Sequence, residues 1–132
     1  MDYSYDGTCV RVIDGDTVVL RLAKTFTQDV DFGFYVRDTM SLTKTAEVTF
    51  RLNGINAPET IGATKAAGLA AKAALESLLV GKPLRVVSHK TDKYGRWLAD
   101  IYLPGDKVTI SQRMIESGFA LPWDGTGPKP TA

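Results

Sequence analysis

Residues 49–59 read TFRLNGINAPE, and the fold turns on how that stretch is read. Phe50 and Leu52 alternate with Thr49, Arg51 and Asn53, so a strand of period two buries the first pair and sends Arg51 to the other side. Gly54 turns the chain, Pro58 stiffens it by fixing φ, and Glu59 follows. A guanidinium, the Asn56 amide and a carboxylate thereby come within reach of one small polar ligand. Taken alone, the same residues also describe a solvated arginine on a strand, followed by an ordinary proline turn. The rest of the chain decides between the two.

Upstream, residues 7–13 (GTCVRVI) alternate as a first strand, with Cys9, Arg11 and Ile13 on one side and Val10 and Val12 on the other. Asp14-Gly15-Asp16 makes a tight turn into a second strand at 17–22 (TVVLRL), where Val18, Leu20 and Leu22 share a face. Two carboxylates are left at that junction. Residues 24–47 are the least transparent, yet VDFGFYVR at 30–37 places Val30, Phe32, Phe34 and Val36 on one side with strand period. The expectation is a ribbon in which strand two continues, turns near 38–42 and returns through 43–52. Its apolar face stays exposed unless the body or a second subunit covers it.

Downstream, residues 63–79 are rich in helix formers, and Gly81 and Pro83 end the run. The alanines at 67, 70, 71 and 74 allow this helix a close approach to a sheet or barrel. Short strands follow at 84–87 and 97–103, separated by the polar turn TDKYGR at 91–96. A Thr109/Gln112 capping box opens a second helix over 109–117, which Gly118 closes. The tail from Pro122 is rich in turn residues and expected to be irregular. This order predicts a mainly β chain with helices (α+β): a five-stranded OB-type barrel, an α-helix between strands 3 and 4, a short C-terminal helix, and an extended strand 2–3 ribbon. One domain over 1–132 is expected, with an insertion at about 24–47 and an irregular tail at about 122–132.

The bulk numbers narrow the partners. A chain of 132 residues with 44% hydrophobic and 23% charged content can build a core without staples. Its net charge of +1 gives no global basic field, so a polyanion must be bound by local cations. Cys9 is single, excluding an internal disulfide, and reads as a small core residue. A single histidine, His89, excludes mechanisms needing two imidazoles and is expected to be exposed. No basic segment followed by an apolar run opens the chain and no stretch reaches membrane length, so a soluble, cytoplasmic protein without membrane partners is expected. A monomer is expected, with a dimer through the 24–47 ribbon as the alternative.

Four separated motifs need one explanation: IDGDT at 13–17, FRLNGINAPE at 50–59, DKYGR at 92–96 and MIESG at 114–118. In this order and spacing they resemble the staphylococcal-nuclease-like (thermonuclease) family. The resemblance implies a calcium-dependent nuclease on an OB barrel, with DNA, and RNA as a further substrate, cut to leave a 3′-phosphate and a 5′-hydroxyl. It assigns catalysis to Arg51, Glu59 and Arg96, with Glu59 activating or orienting water and the two arginines holding phosphate. Lys93 and Tyr94 match positions beside the substrate phosphate, and Asp16, Asn56 and the carbonyl of Ala57 match the calcium ligands. The chemistry is coherent: phosphodiester hydrolysis depends on positioning and charge stabilisation, and two guanidiniums can each donate paired hydrogen bonds to phosphoryl oxygens.

The chain departs from the family in two respects. Asn56 stands where an aspartate is usual, which keeps an oxygen donor but removes a charge, whereas the Ala57 side chain is expected to matter little because its carbonyl is the ligand. Trp123 and Asp124 replace a pair of tyrosines, and Trp123 reads equally as a cap on the core or a stacking surface for a base. The alternative function is a catalytically weak or inactive nucleic-acid-binding or scaffold module that has lost turnover through Asn56.

Overall fold

The computed structural model describes residues 3–33, 37–60, 62–91 and 97–123. Strand β1 (Tyr3–Asp14) turns at Gly15-Asp16 into β2 (Thr17–Asp31), which pairs along its whole length with β3 (Arg37–Leu52). A two-residue strand β4 (Ile55–Asn56) and a 3-10 turn (Gly62–Thr64) lead into helix α1 (Lys65–Leu79). Strands β5 (Pro83–Thr91) and β6 (Trp97–Tyr102), helix α2 (Ile110–Glu116) and a two-residue strand β7 (Leu121–Pro122) complete the order. The strands close a barrel in the order β1-β2-β3-β6-β5, with β3 and β6 parallel and the other pairs antiparallel. This is the expected five-stranded OB-type architecture, with α1 between the third and fourth barrel strands.

Alternation fills the barrel. Val18 and Leu20 of β2, Phe50 and Leu52 of β3, Leu84 and Val86 of β5, and Ala99 and Ile101 of β6 are all buried in one cluster. α1 closes one end by burying Gly68, Ala71, Leu75 and Leu79, one helical face at spacings of three and four. Its alanines permit the close packing expected, although Ala67 and Ala70 are exposed. α2 adds Ile110 and Met114, and the Thr109 side chain accepts the amide of Gln112 at 3.1 Å; this is one half of the expected capping box, for the Gln112 side chain donates forward to Glu116 at 3.4 Å and not back to Thr109.

Three local expectations need correction. In β1, register shifts at Val10 and after Val12 break the alternation, so Cys9 packs against the core with Val12 while Val10, Arg11 and Ile13 are exposed. Burial, then the charge of Glu76, raises the Cys9 thiol above its ordinary range and keeps it protonated. The ribbon turns earlier than 38–42: β2 ends at Asp31, whose carboxylate accepts the amide of Gly33 at 2.8 Å, and Gly33 takes a φ of +82°. The alternating VDFGFYVR pattern hid that turn; Phe34 and Val36 lie outside the described residues. The start of the tail is ordered, because β7 pairs with β4, Ile55 with Pro122 and Asn56 with Leu121, while residues 124–132 lie outside the described residues. A two-residue bridge has no period to read.

Candidate functional site

The innermost rung of the β2–β3 ladder pairs Thr17 with Arg51, so the turn that precedes Thr17 delivers Asp16 to the guanidinium. Asp16 is buried; its Oδ2 accepts the amide of Ala57 at 3.0 Å and Nη2 of Arg51 at 3.4 Å, and its Oδ1 accepts the Thr17 hydroxyl at 3.1 Å. Arg51 is only 3% exposed. Its Nη2 also donates to the Asn56 side-chain oxygen at 3.5 Å and its Nη1 to the Leu52 carbonyl at 3.5 Å. A buried cation of this kind is tolerated only when paired and hydrogen-bonded. These contacts are all at the long end of hydrogen bonding, so better-placed acceptors would hold the guanidinium more strongly.

Small residues make the convergence possible. A Cβ on Gly15 would stand 2.7 Å from Cβ of Ala71 and 2.8 Å from Cβ of Ala57, so the turn, the loop after β4 and α1 meet where only glycine and alanine fit. The Ala57 side chain is buried and is one of the two methyls that a Cβ on Gly15 would meet. It is the Ala57 amide, not its carbonyl, that meets the Asp16 carboxylate. Gly68 of α1 plays the same part for the next turn, since a Cβ there would lie 2.1 Å from the Glu59 carbonyl oxygen. That carbonyl also accepts the Thr64 hydroxyl at 3.1 Å. The Glu59 side chain is exposed and stands outside the contacts that join Asp16, Arg51, Asn56 and Ala57.

Trp123 neither caps the core alone nor offers a free stacking surface. Its amide donates to the Gly54 carbonyl at 2.9 Å, and the Arg51 guanidinium carbon lies 4.8 Å from its ring centroid. The indole thus covers the guanidinium that Asp16 meets edge-on. His89 is half-buried rather than exposed: its Nε2 is 2.6 Å from Oδ2 of Asp100, whose Oδ1 accepts the Asn53 side-chain amide at 3.4 Å. Nothing in the strand pattern around His89 announced that pairing. Lys93, Tyr94 and Arg96 lie outside the described residues.

The donor chemistry bears on a metal. Asp14 Oδ1 accepts the Asp16 amide at 3.2 Å, and burial, followed by the hydrogen bond and charge of the Asp16 carboxylate, pushes its carboxyl from the ordinary 3.8 up to about 6. Two carboxylates crowd one partly buried space beside an amide oxygen. Among the described residues no group of three or more His, Cys, Asp or Glu is placed to hold a metal ion. An all-oxygen set this small fits a hard dication that keeps waters and substrate oxygens as its remaining ligands, and not a thiolate- or imidazole-bound metal.

The family model for staphylococcal nuclease homologues matches residues 49–128, more than half of the chain. The chain belongs to that family. The span matched by the model holds Arg51, Asn56, Glu59 and Trp123, while the Asp16 turn reaches the same place through the β2–β3 ladder. The chain is 40% identical over 70 residues to a probable staphylococcal-like nuclease of Oryza sativa subsp. japonica, covering 53% of this family member and 20% of that protein. It is 30% identical over 114 residues to an uncharacterized endonuclease of Escherichia coli O157:H7, covering 86% of this chain and 58% of that protein. The chain thus spans less than two thirds of the length of these relatives.

Proposed function

We propose that this chain is a calcium-dependent nuclease that hydrolyses phosphodiester bonds of DNA, and of RNA as a further substrate. One observation carries the reading: the Asp16 carboxylate and the buried Arg51 guanidinium, 35 residues apart, meet in oxygen-donor surroundings beside Asn56 and Ala57. The names of the relatives point the same way.

In this proposal Asp16, the Asn56 side-chain oxygen and the Ala57 carbonyl hold calcium, with Asp14 close behind Asp16. Calcium, when bound, supplies charge neutralisation at the phosphoryl oxygens and acidifies an attacking water. Arg51 exchanges its long contacts for paired hydrogen bonds to two phosphoryl oxygens, strongest as negative charge builds at phosphorus. Arg96 provides the second guanidinium, and Lys93 and Tyr94 flank the phosphate. Glu59, exposed on the turn that Gly68 supports, takes the proton of the attacking water. Water oxygen bonds to phosphorus, and the bond from phosphorus to the 5′ oxygen breaks with its electron pair staying on that oxygen, which takes a proton from solvent water; a 3′-phosphate and a 5′-hydroxyl leave.

Cleavage of single-stranded and duplex DNA, titrated with calcium and repeated with chelator, tests this. Cutting that rises with calcium and stops with chelator is expected; intact substrate across the whole range with folded protein refutes it. A second reading, a binding or scaffold module without turnover, is favoured by the amide of Asn56 in a carboxylate's place. It predicts substrate retention without cutting, and cutting only after Asn56→Asp.

A further inference from the structure

The β2–β3 ladder runs without a register shift from Thr17 paired with Arg51 to Asp31 paired with Arg37. Its inner residues continue the barrel's inward face past the end of the core: Val18 and Leu20 are buried, Leu22 partly so, and Lys24, Phe26 and Gln28 are exposed. On the returning strand Phe50 is buried, Val48 partly so, and Lys44, Leu42 and Met40 are exposed. Directly opposed residues share a face, so Lys24/Lys44, Phe26/Leu42, Gln28/Met40 and Val30/Asp38 lie in sequence along it. The other face carries Thr25, Thr27, Asp29, Ser41 and Thr43. The ribbon is therefore amphipathic over a length of roughly 20 Å at about 3.3 Å per residue, with Phe26, Met40 and Leu42 between 50% and 60% exposed.

The charges on this face select its occupant. Lys24 and Lys44 stand directly opposite one another, an unfavourable like-charge rung, and neither makes an ion pair among the described residues. Asp38 lies on the same face at the outer end, accepts the amide of Thr39 at 2.8 Å and makes no ion pair among the described residues. The apolar rungs sit between them. Turned over and laid antiparallel on itself, the face sets each Lys24/Lys44 rung against the other copy's Asp38 and packs Phe26/Leu42 against Gln28/Met40. A parallel arrangement sets lysines on lysines. A polyanion is disfavoured, because residues 24–44 carry Lys24, Arg37 and Lys44 against Asp29, Asp31 and Asp38, with no net charge.

We propose that this ribbon face is a two-fold interface for a second copy of the chain, the two ribbons stacking antiparallel through Phe26, Met40 and Leu42 with Lys24 and Lys44 of each copy paired to Asp38 of the other. An isologous contact of this kind closes on itself and covers both exposed faces at once. It is independent of the nuclease reading, since no residue of the site takes part.

Sedimentation of the full chain in calcium-free buffer tests it. Wild type is expected at twice the chain mass. Leu42→Asp is expected at the single mass, and Thr27→Lys on the polar face at twice the mass. Asp38→Lys is expected to lose the dimer and Asp38→Lys with Lys24→Asp and Lys44→Asp to regain it, circular dichroism confirming the fold of each. A wild-type monomer at the highest soluble concentration overturns the proposal, as does a dimer indifferent to Asp38→Lys or a triple variant that stays monomeric. A monomer that binds oligonucleotides through Phe26 and Leu42 also overturns it and gives the face to nucleic acid.

Discussion

Gly68 of α1 packs so closely on Glu59 that a Cβ at position 68 would stand 2.1 Å from the Glu59 carbonyl oxygen. By helix propensity alone, Gly68→Ala stabilises by about 1 kcal/mol. The contact reverses the sign, because backbone cannot yield as a side-chain tip does. We expect Gly68→Ala to destabilise by about 1–3 kcal/mol and, under the proposed mechanism, to lower kcat with little change in KM, since the displaced turn carries the proposed base Glu59 and not the proposed phosphate contacts. Thermal denaturation and steady-state cleavage check the two halves.

Arg51 is the second test. Lysine keeps the charge but loses the planar fork, and it cannot reach Asp16, Asn56 and the Leu52 carbonyl together as Arg51 does. Arg51→Lys is expected to lower kcat by about 10²–10³, the usual size for one lost charge-stabilising donor. Arg51→Ala should also destabilise by about 3–5 kcal/mol, because the buried Asp16 carboxylate loses its cation. Saturating cleavage assays and denaturant melts measure these losses.

Asn56→Asp restores a carboxylate beside Arg51 and Asp16. A carboxylate about 2.4 Å from a dication gains roughly 3 kcal/mol at the dielectric of water, partly offset by desolvation. Calcium affinity is expected to rise by about one to two decades at ~1.4 kcal/mol per decade, read by calorimetry or by the calcium dependence of Tm.

The pH dependence of stability isolates Asp14. Its carboxyl is raised from 3.8 to about 6 in the fold, so between those values the unfolded chain releases a proton that the folded chain retains. Stability from this group falls as pH rises through that window, and the whole cost remains above it. In calcium-free buffer, Asp14→Asn should melt above wild type at neutral pH, the advantage shrinking as both forms of Asp14 become protonated in acid. Melting curves across pH decide it.

Much of this fold is legible in the sequence because period two and period 3.6 carry it. Phe50 and Leu52, Val18 and Leu20, and the Gly68-Ala71-Leu75-Leu79 face all bury as such patterns predict. That Asp16 and Arg51 belong to one site is legible only through the order of the motifs, and their direct contact is not legible at all. What escaped has no period: Asp31 capping the Gly33 amide, the β4–β7 bridge, and the indole of Trp123 over Arg51. His89 departs from its expected exposure for a related reason, since cross-strand pairing with Asp100 depends on a neighbour distant in sequence.

The unbroken register of β2 and β3 has a further consequence for how the chain tolerates change in length. Because Thr17 opposite Arg51 and Asp31 opposite Arg37 belong to one ladder, residues deleted as facing pairs shorten the ribbon and leave Arg51 across from Thr17. A single deletion in one arm instead rotates everything beyond it by half a turn, exchanging Arg51 with Phe50 or Leu52 at the barrel wall. Because the outermost paired residues, Asp31 and Arg37, are near in sequence, the pairing can zip inward from local contacts, so that Asp16 and Arg51 meet without a long loop having to close first. Length variation in this hairpin is thus quantised in steps of one rung, with the chemistry at its base indifferent to how many rungs there are.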